Sequence, residues 1–223
     1  IKDLADTLSE LHQQGIIHKN LTARNIFINP QDHTQMRINN FGLFYLLDLN
    51  DIFHRQSHVD FFTYTSPEQT GLLKRPVDNR SDLYSLGAIF YELLCAQPPF
   101  EDQDIGRLIY KHLAFKPQKP STFNPHIPPI IDEIILKLLA KEPDSRYQSA
   151  AGLKEDLEFF IKSPDKSHFI IALKDKIKRL NLQIKILGRE VELKWLKNLY
   201  EEASLSNPRF VLAEGELGIG KTK

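Results

Sequence analysis

The chain has 223 residues, 41% of them hydrophobic, enough for one large core or two small ones. Its 29 basic and 29 acidic residues cancel, so no overall field would draw it to nucleic acid or to an anionic membrane, and partners must be read from sites. The single cysteine, Cys95, excludes an internal disulfide and suits a reducing, cytoplasmic compartment, and there is neither a signal peptide nor an apolar run near the roughly 18 residues of a membrane span.

The first predicted element is a helix in which Leu4, Leu8 and Leu11 recur at helical spacing before Gly15. It starts at Ile1 without an initiator Met, and the chain stops at Lys223 inside a motif, so the sequence reads as an excerpt from a longer protein. "NIFINP" and "MRINNFGL" follow, joined by the turn-forming "NPQDH", which predicts a small hairpin. Loops dominate to about Asn79. "SDLYSLGAIFYELLC" then predicts a buried helix with Ser81 as its N-cap and Leu83, Leu86, Phe90 and Leu93 on its apolar stripe, stopped by "QPPF".

Further helices are expected near Asp104 to Leu113, over "IIDEIILKLLAK", and from about Ala150 to Ile161 after the cap residue Ser149. Residues 162–185 are lysine-rich and are taken as a linker. From 186 the order changes to a helix through "EVELKWLKNLYEEAS", a strand "RFVLAEG" and a glycine loop, which suggests the opening of an α/β domain.

Motifs sharpen this outline. His18, Lys19, Asn20 and Asn25 stand where a protein kinase reads H-R-D-x-x-x-x-N; Asn40, Phe41 and Gly42 stand for D-F-G; Ser66, Pro67 and Glu68 stand for A-P-E. In this order the motifs resemble the C-terminal lobe of a eukaryotic-like serine/threonine protein kinase over 1–161, an α+β and mostly helical fold without its N-terminal lobe. The resemblance implies that Asp82 braces the catalytic loop, that Arg146 pairs with Glu68, and that His18 packs in the core. It also implies ATP and Mg²⁺ as cofactors.

Two departures bear on activity. In the kinase template an aspartate accepts or orients the substrate hydroxyl proton, and the D-F-G aspartate holds Mg²⁺ against the phosphates. Asn20 keeps the shape of the first but not its basicity, and loss of a positioned base costs on the order of 10²- to 10⁴-fold in rate. Asn40 offers Mg²⁺ a neutral oxygen where an anionic one is favoured, while Asn25 keeps its metal-ligand position. The expectation is a pseudokinase or scaffold; the alternative is an active kinase that tolerates both asparagines.

The activation segment carries the hydroxyls Ser57, Thr63 and Thr65 beside few bases, Arg55 and Lys19 among them. A phosphate there would have something to pair with, although unmodified loop hydroxyls are the simpler reading.

At the other end, "GELGIGKT" from Gly215 to Thr222 satisfies G-x-x-x-x-G-K-[ST]. Gly215, Gly218 and Gly220 would let backbone N–H groups converge on phosphates, Lys221 would reach the β and γ phosphates, and Thr222 would hold Mg²⁺. With Gly188, Arg189 and Glu190, residues 186–223 resemble the truncated start of a P-loop signal-transduction ATPase, as in large bacterial multidomain signalling kinases. A third reading gives that ATPase the whole function and leaves the lobe as a spacer.

Overall fold

The computed structural model describes residues 1–29, 31–32, 36–42, 62–163, 170–175, 194–195 and 198–199. The chain divides into two compact units, Ile1–Leu182 and Gln183–Lys223. In the second, 194–195 and 198–199 are helical, within the predicted helix. The predicted strand "RFVLAEG" and the glycine loop lie outside the described residues.

The first unit is mostly helical. Among the described residues its α-helices and strands are α1 (Lys2–Gln13), β1 (Ile26–Ile28), β2 (Met36–Ile38), α2 (Asn79–Cys95), α3 (Ile105–Ala114), α4 (Pro129–Leu138) and α5 (Ala150–Lys162). The strands form the expected antiparallel hairpin, with Ile26 opposite Ile38 and Ile28 opposite Met36. Side chains on one face of a helix recur every three to four residues. That spacing brings Leu4 and Leu8 of α1, Leu83 and Leu86 of α2, Ile134 and Leu138 of α4, and Leu153 and Leu157 of α5 into one core. A second cluster joins Phe62 and Phe100 to Ile105, Leu108 and Ile109.

α2 runs through the middle, buried from Ser81 to Tyr91. Its Gly87 permits a close crossing, since a Cβ there would lie 2.6 Å from Cβ of Leu138 on α4.

Two expectations about α2 need correction. Asp78, not Ser81, is the N-cap, its carboxylate accepting from the N–H of Arg80. Ser81 sits inside the first turn, where its hydroxyl donates to Glu68. Leu93, placed on the apolar stripe, is 68% exposed because α2 leaves the core in its last turn and turns Leu94 and Cys95 inward instead. At α5, Ser149 does cap the helix, accepting from the N–H of Gly152 at 3.0 Å.

Candidate active site

The site begins where α1 ends. Gly15, at φ 75°, turns the chain back toward α2. The next segment places His18 and Lys19 over the first turn of α2, where the buried carboxylate of Asp82 waits. Asp82 accepts from the N–H of His18 at 2.8 Å, the N–H of Lys19 at 2.8 Å and Nε2 of His12 at 2.9 Å. Hydrogen bonds to an ionised carboxylate are about twice as strong as neutral ones, so three of them fix the loop to the helix.

Lys19 itself is left-handed, at φ 62°, which costs a residue with a Cβ about 1–2 kcal/mol. Both sides of it are held: Asp82 takes its N–H, and Nε2 of Gln69 donates to its carbonyl at 2.6 Å. Gln69 is oriented in turn by Ser66, whose N–H and hydroxyl both donate to its Oε1, forming a capping box on Pro67–Thr70.

The tautomer of His18 follows from its neighbours. The N–H of Asn20 donates to Nδ1 at 3.2 Å, so Nδ1 is an acceptor, the proton sits on Nε2, and Nε2 donates to the carbonyl of Asn39 at 3.0 Å. Burial pushes the His18 pKa below its ordinary value against the opposing charge of Asp82, which keeps the ring neutral. Phe41 stacks on it with ring centroids 4.3 Å apart, and Gly42, at φ 66°, donates its N–H to the His18 carbonyl at 2.9 Å.

Three asparagines then close on one another. Nδ2 of Asn40 donates to Oδ1 of Asn25 at 2.9 Å, Nδ2 of Asn25 to the backbone carbonyl of Asn20 at 2.8 Å, and Nδ2 of Asn20 to the backbone carbonyl of Asn40 at 3.1 Å. Asn40 is left-handed, at φ 64°, a conformation that asparagine adopts more readily than most residues. The amide of Asn40 can point only one way: turned over, its oxygen would face the oxygen of Asn25. The resulting donor set fits Mg²⁺ poorly, because all three side chains are neutral amides and the metal-ligand oxygen of Asn25 already accepts an N–H.

A fourth feature lies deeper. Glu68 and Arg146 form a two-pronged ion pair, at 2.7 and 2.8 Å, with both side chains 0% exposed. The remaining donors of Arg146 go to the carbonyls of Ala140, Arg80 and Lys141, and its guanidinium lies 4.8 Å from the centre of the Tyr84 ring. Burial alone would raise the pKa of Glu68, but the hydrogen bonds and charge of Arg146 and the Ser81 hydroxyl outweigh it and hold the carboxyl below the usual value.

Thus His18, Lys19, Asn20, Asn25, Asn40, Phe41, Gly42 and Asp82 meet in one place, with the Glu68–Arg146 pair behind them. Gly215, Gly218, Gly220, Lys221 and Thr222 lie outside the described residues, as do Arg55 and Ser57 of the activation segment. Thr65 is buried. Sequence reasoning missed His12, Gln69 and the role of Ser81. His12 had a visible signal, following Leu4 and Leu8 at intervals of four on the buried face of α1.

Residues 1–157 match the protein kinase domain family. A hybrid signal transduction histidine kinase G of Dictyostelium discoideum is 34% identical over 203 residues, 78% of this chain and 6% of that protein. A probable serine/threonine-protein kinase of Streptomyces coelicolor is 36% identical over 157 residues, and the serine/threonine-protein kinase PknB of Mycolicibacterium smegmatis 36% over 159, each 70% of this chain but only 23% and 25% of those proteins. The fold, the braced loop and these matches together show that the chain belongs to the protein kinase family. Its homologues include bacterial serine/threonine kinases, and that family generally uses ATP with Mg²⁺.

Proposed function

We propose that the lobe belongs to a signalling protein in which it acts as a catalytically impaired, binding-competent kinase module rather than as a working phosphotransferase. The observation that carries this reading is the hydrogen bond from Asn40 to Oδ1 of Asn25. An N–H occupies the oxygen that an active site would offer to a cation, and the third amide, on Asn20, has no useful basicity for the substrate proton. The backbone frame is meanwhile kept by Asp82 and Gln69, so what survives is shape.

The test is Mg²⁺-dependent phosphotransfer to a generic protein acceptor by the parent protein, with Lys221 mutated to silence the P-loop unit. Little or no transfer, rising by at least about 100-fold when Asn20 and Asn40 are both changed to Asp, supports impairment. Clear transfer by the unaltered lobe, lost when Asn25 is changed, overturns it and leaves an active serine/threonine kinase. The intact loop geometry and the 34–36% identity to proteins named as kinases favour that second reading.

Residues 186–223 are proposed to begin a nucleotide-binding unit in which Gly215, Gly218, Gly220, Lys221 and Thr222 take ATP and Mg²⁺. Support comes from the motif itself, a full G-x-x-x-x-G-K-[ST] match directly after the apolar, strand-like "RFVLAEG". A cytoplasmic setting is proposed on the strength of Cys95, a free and half-buried thiol. Among the described residues no helix is long and apolar enough to cross a membrane.

A further inference from the structure

Residues 170–175 fall inside the stretch expected to be a linker, yet they lie against the start of α5. The Asp175 carboxylate accepts from the N–H of Gln148 at 2.6 Å, the N–H of Ser149 at 3.0 Å and the Ser149 hydroxyl at 2.8 Å. One turn earlier the N–H of Ala172, a left-handed residue at φ 59°, donates to Oδ2 of Asp156 at 2.6 Å. The same oxygen accepts from the Tyr147 hydroxyl at 2.6 Å. Ile171 and Ala172 pack on the main core, while Ile170 and Leu173 stay 70% and 72% exposed.

Gly152 ties this contact to the sequence. A glycine inside a helix costs about 0.5–1 kcal/mol relative to alanine, and nothing in the backbone of α5 requires one there. The reason is external: a Cβ at 152 would lie 2.7 Å from both Cβ and Cγ of Asp175, closer than real Cβ atoms come to one another. Removing the segment would not uncap the helix, because the Ser149 hydroxyl accepts from the Gly152 N–H independently of Asp175. The N-cap of α5 therefore does not depend on the contact.

We propose that residues 170–175 are a strap that clasps the chain leaving α5 back onto the start of the same helix, with Asp175 as the clasp, Ala172–Asp156 as a second fastening and Gly152 as the gap that admits it. The strap relocates the exit of the chain. α5 has 13 residues, so an exit beside Ser149 lies roughly 20 Å from the end of the helix at Lys162. Whatever follows Asp175 is hung from the beginning of α5 while the strap is closed and is released from it when the strap opens.

Amide hydrogen exchange of the 223-residue chain, read residue by residue, tests this. Asp175→Ala is expected to speed exchange at Gln148, Ser149 and Ala172 by about tenfold, the equivalent of one or two lost hydrogen bonds, with Leu83 to Ile89 unchanged. Gly152→Ala is expected to do the same while raising the helical content of α5, and it remains informative if Asp175→Ala does not fold. Unchanged exchange at Gln148, Ser149 and Ala172 in Gly152→Ala overturns the strap. So does faster exchange at Gln148 and Ser149 with Ala172 still protected, because the fastenings would then not act together.

Discussion

Two regions of the lobe handle charge in opposite ways. Behind the catalytic loop, Asp82, Glu68 and Arg146 are buried, and each is answered by several partners. In front, at Asn20, Asn25 and Asn40, the partners answer one another and no charge remains. Charges that hold the backbone in place are kept, while positions 20 and 40, where the kinase template carries aspartates, hold amides of nearly the same shape. The difference separates frame from front inside one motif set: the loop keeps its braced conformation with amides where the template has acids.

The sharpest way to break this comparison is to remove a rear charge. Arg146→Ala leaves Glu68 buried and unpaired, which costs about 3–5 kcal/mol, enough to unfold much of a lobe of ordinary stability. Urea denaturation measures it, and a loss below about 1 kcal/mol would mean that the pair is not structural. Asp82→Ala comes next, at about 2–3 kcal/mol, since it strands two backbone N–H groups and His12. Its mark is faster amide exchange at His18 and Lys19; if both stay protected, something other than Asp82 holds the loop.

Acid provides a graded version of the same test. The carboxyl of Glu68 is held below its ordinary 4.5, so the stability it contributes is complete above that value and is lost as pH falls through the lower folded-state value. His18, whose pKa is depressed below 6.5, acts in the same direction from a higher pH, because the unfolded chain takes up a proton that the folded ring does not. The contributions of these two groups should therefore start to fall below about 6.5 and continue to fall below 4.5. In Glu68→Gln, already weaker at neutral pH, the part below 4.5 should be shallower than in the unaltered chain, and an unchanged slope there would remove Glu68 from the account.

How far the sequence revealed this depends on the range of the interaction. Helices with regular apolar spacing and a local cap, such as α5 with Ser149, were legible because the determinants lie within one or two turns. The N-cap of α2 was misplaced because Asp78 and Ser81 are both good caps by local rules, and only the contact with Glu68, outside the helix, shows that the Ser81 hydroxyl is otherwise engaged. Asn20 and Asn40 could be read as substitutions, but their mutual closure with Asn25 joins residues 20, 25 and 40 and could not. Nor could the docking of Asp175 on Gln148 and Ser149, 27 and 26 residues away, for which the one local hint was a glycine in a helix.

The smallest stability effect is the most discriminating. Asn40→Asp replaces a donor with an acceptor, so that two oxygens face each other where a nitrogen and an oxygen now lie 2.9 Å apart. Without a cation the variant should lose about 1 kcal/mol, the cost of one broken hydrogen bond and a repulsive contact at a half-open site. With Mg²⁺ present the same two oxygens become a ligand pair, so the melting temperature of the variant should rise with Mg²⁺ concentration while that of the unaltered chain does not. Equal stabilisation of both by Mg²⁺ would show that the asparagines still hold the ion and would defeat the claim that the front of the site has been neutralised. Stabilisation of the variant alone would show that a single amide separates a closed circuit from a metal site, and that the frame behind it has stayed ready to present one.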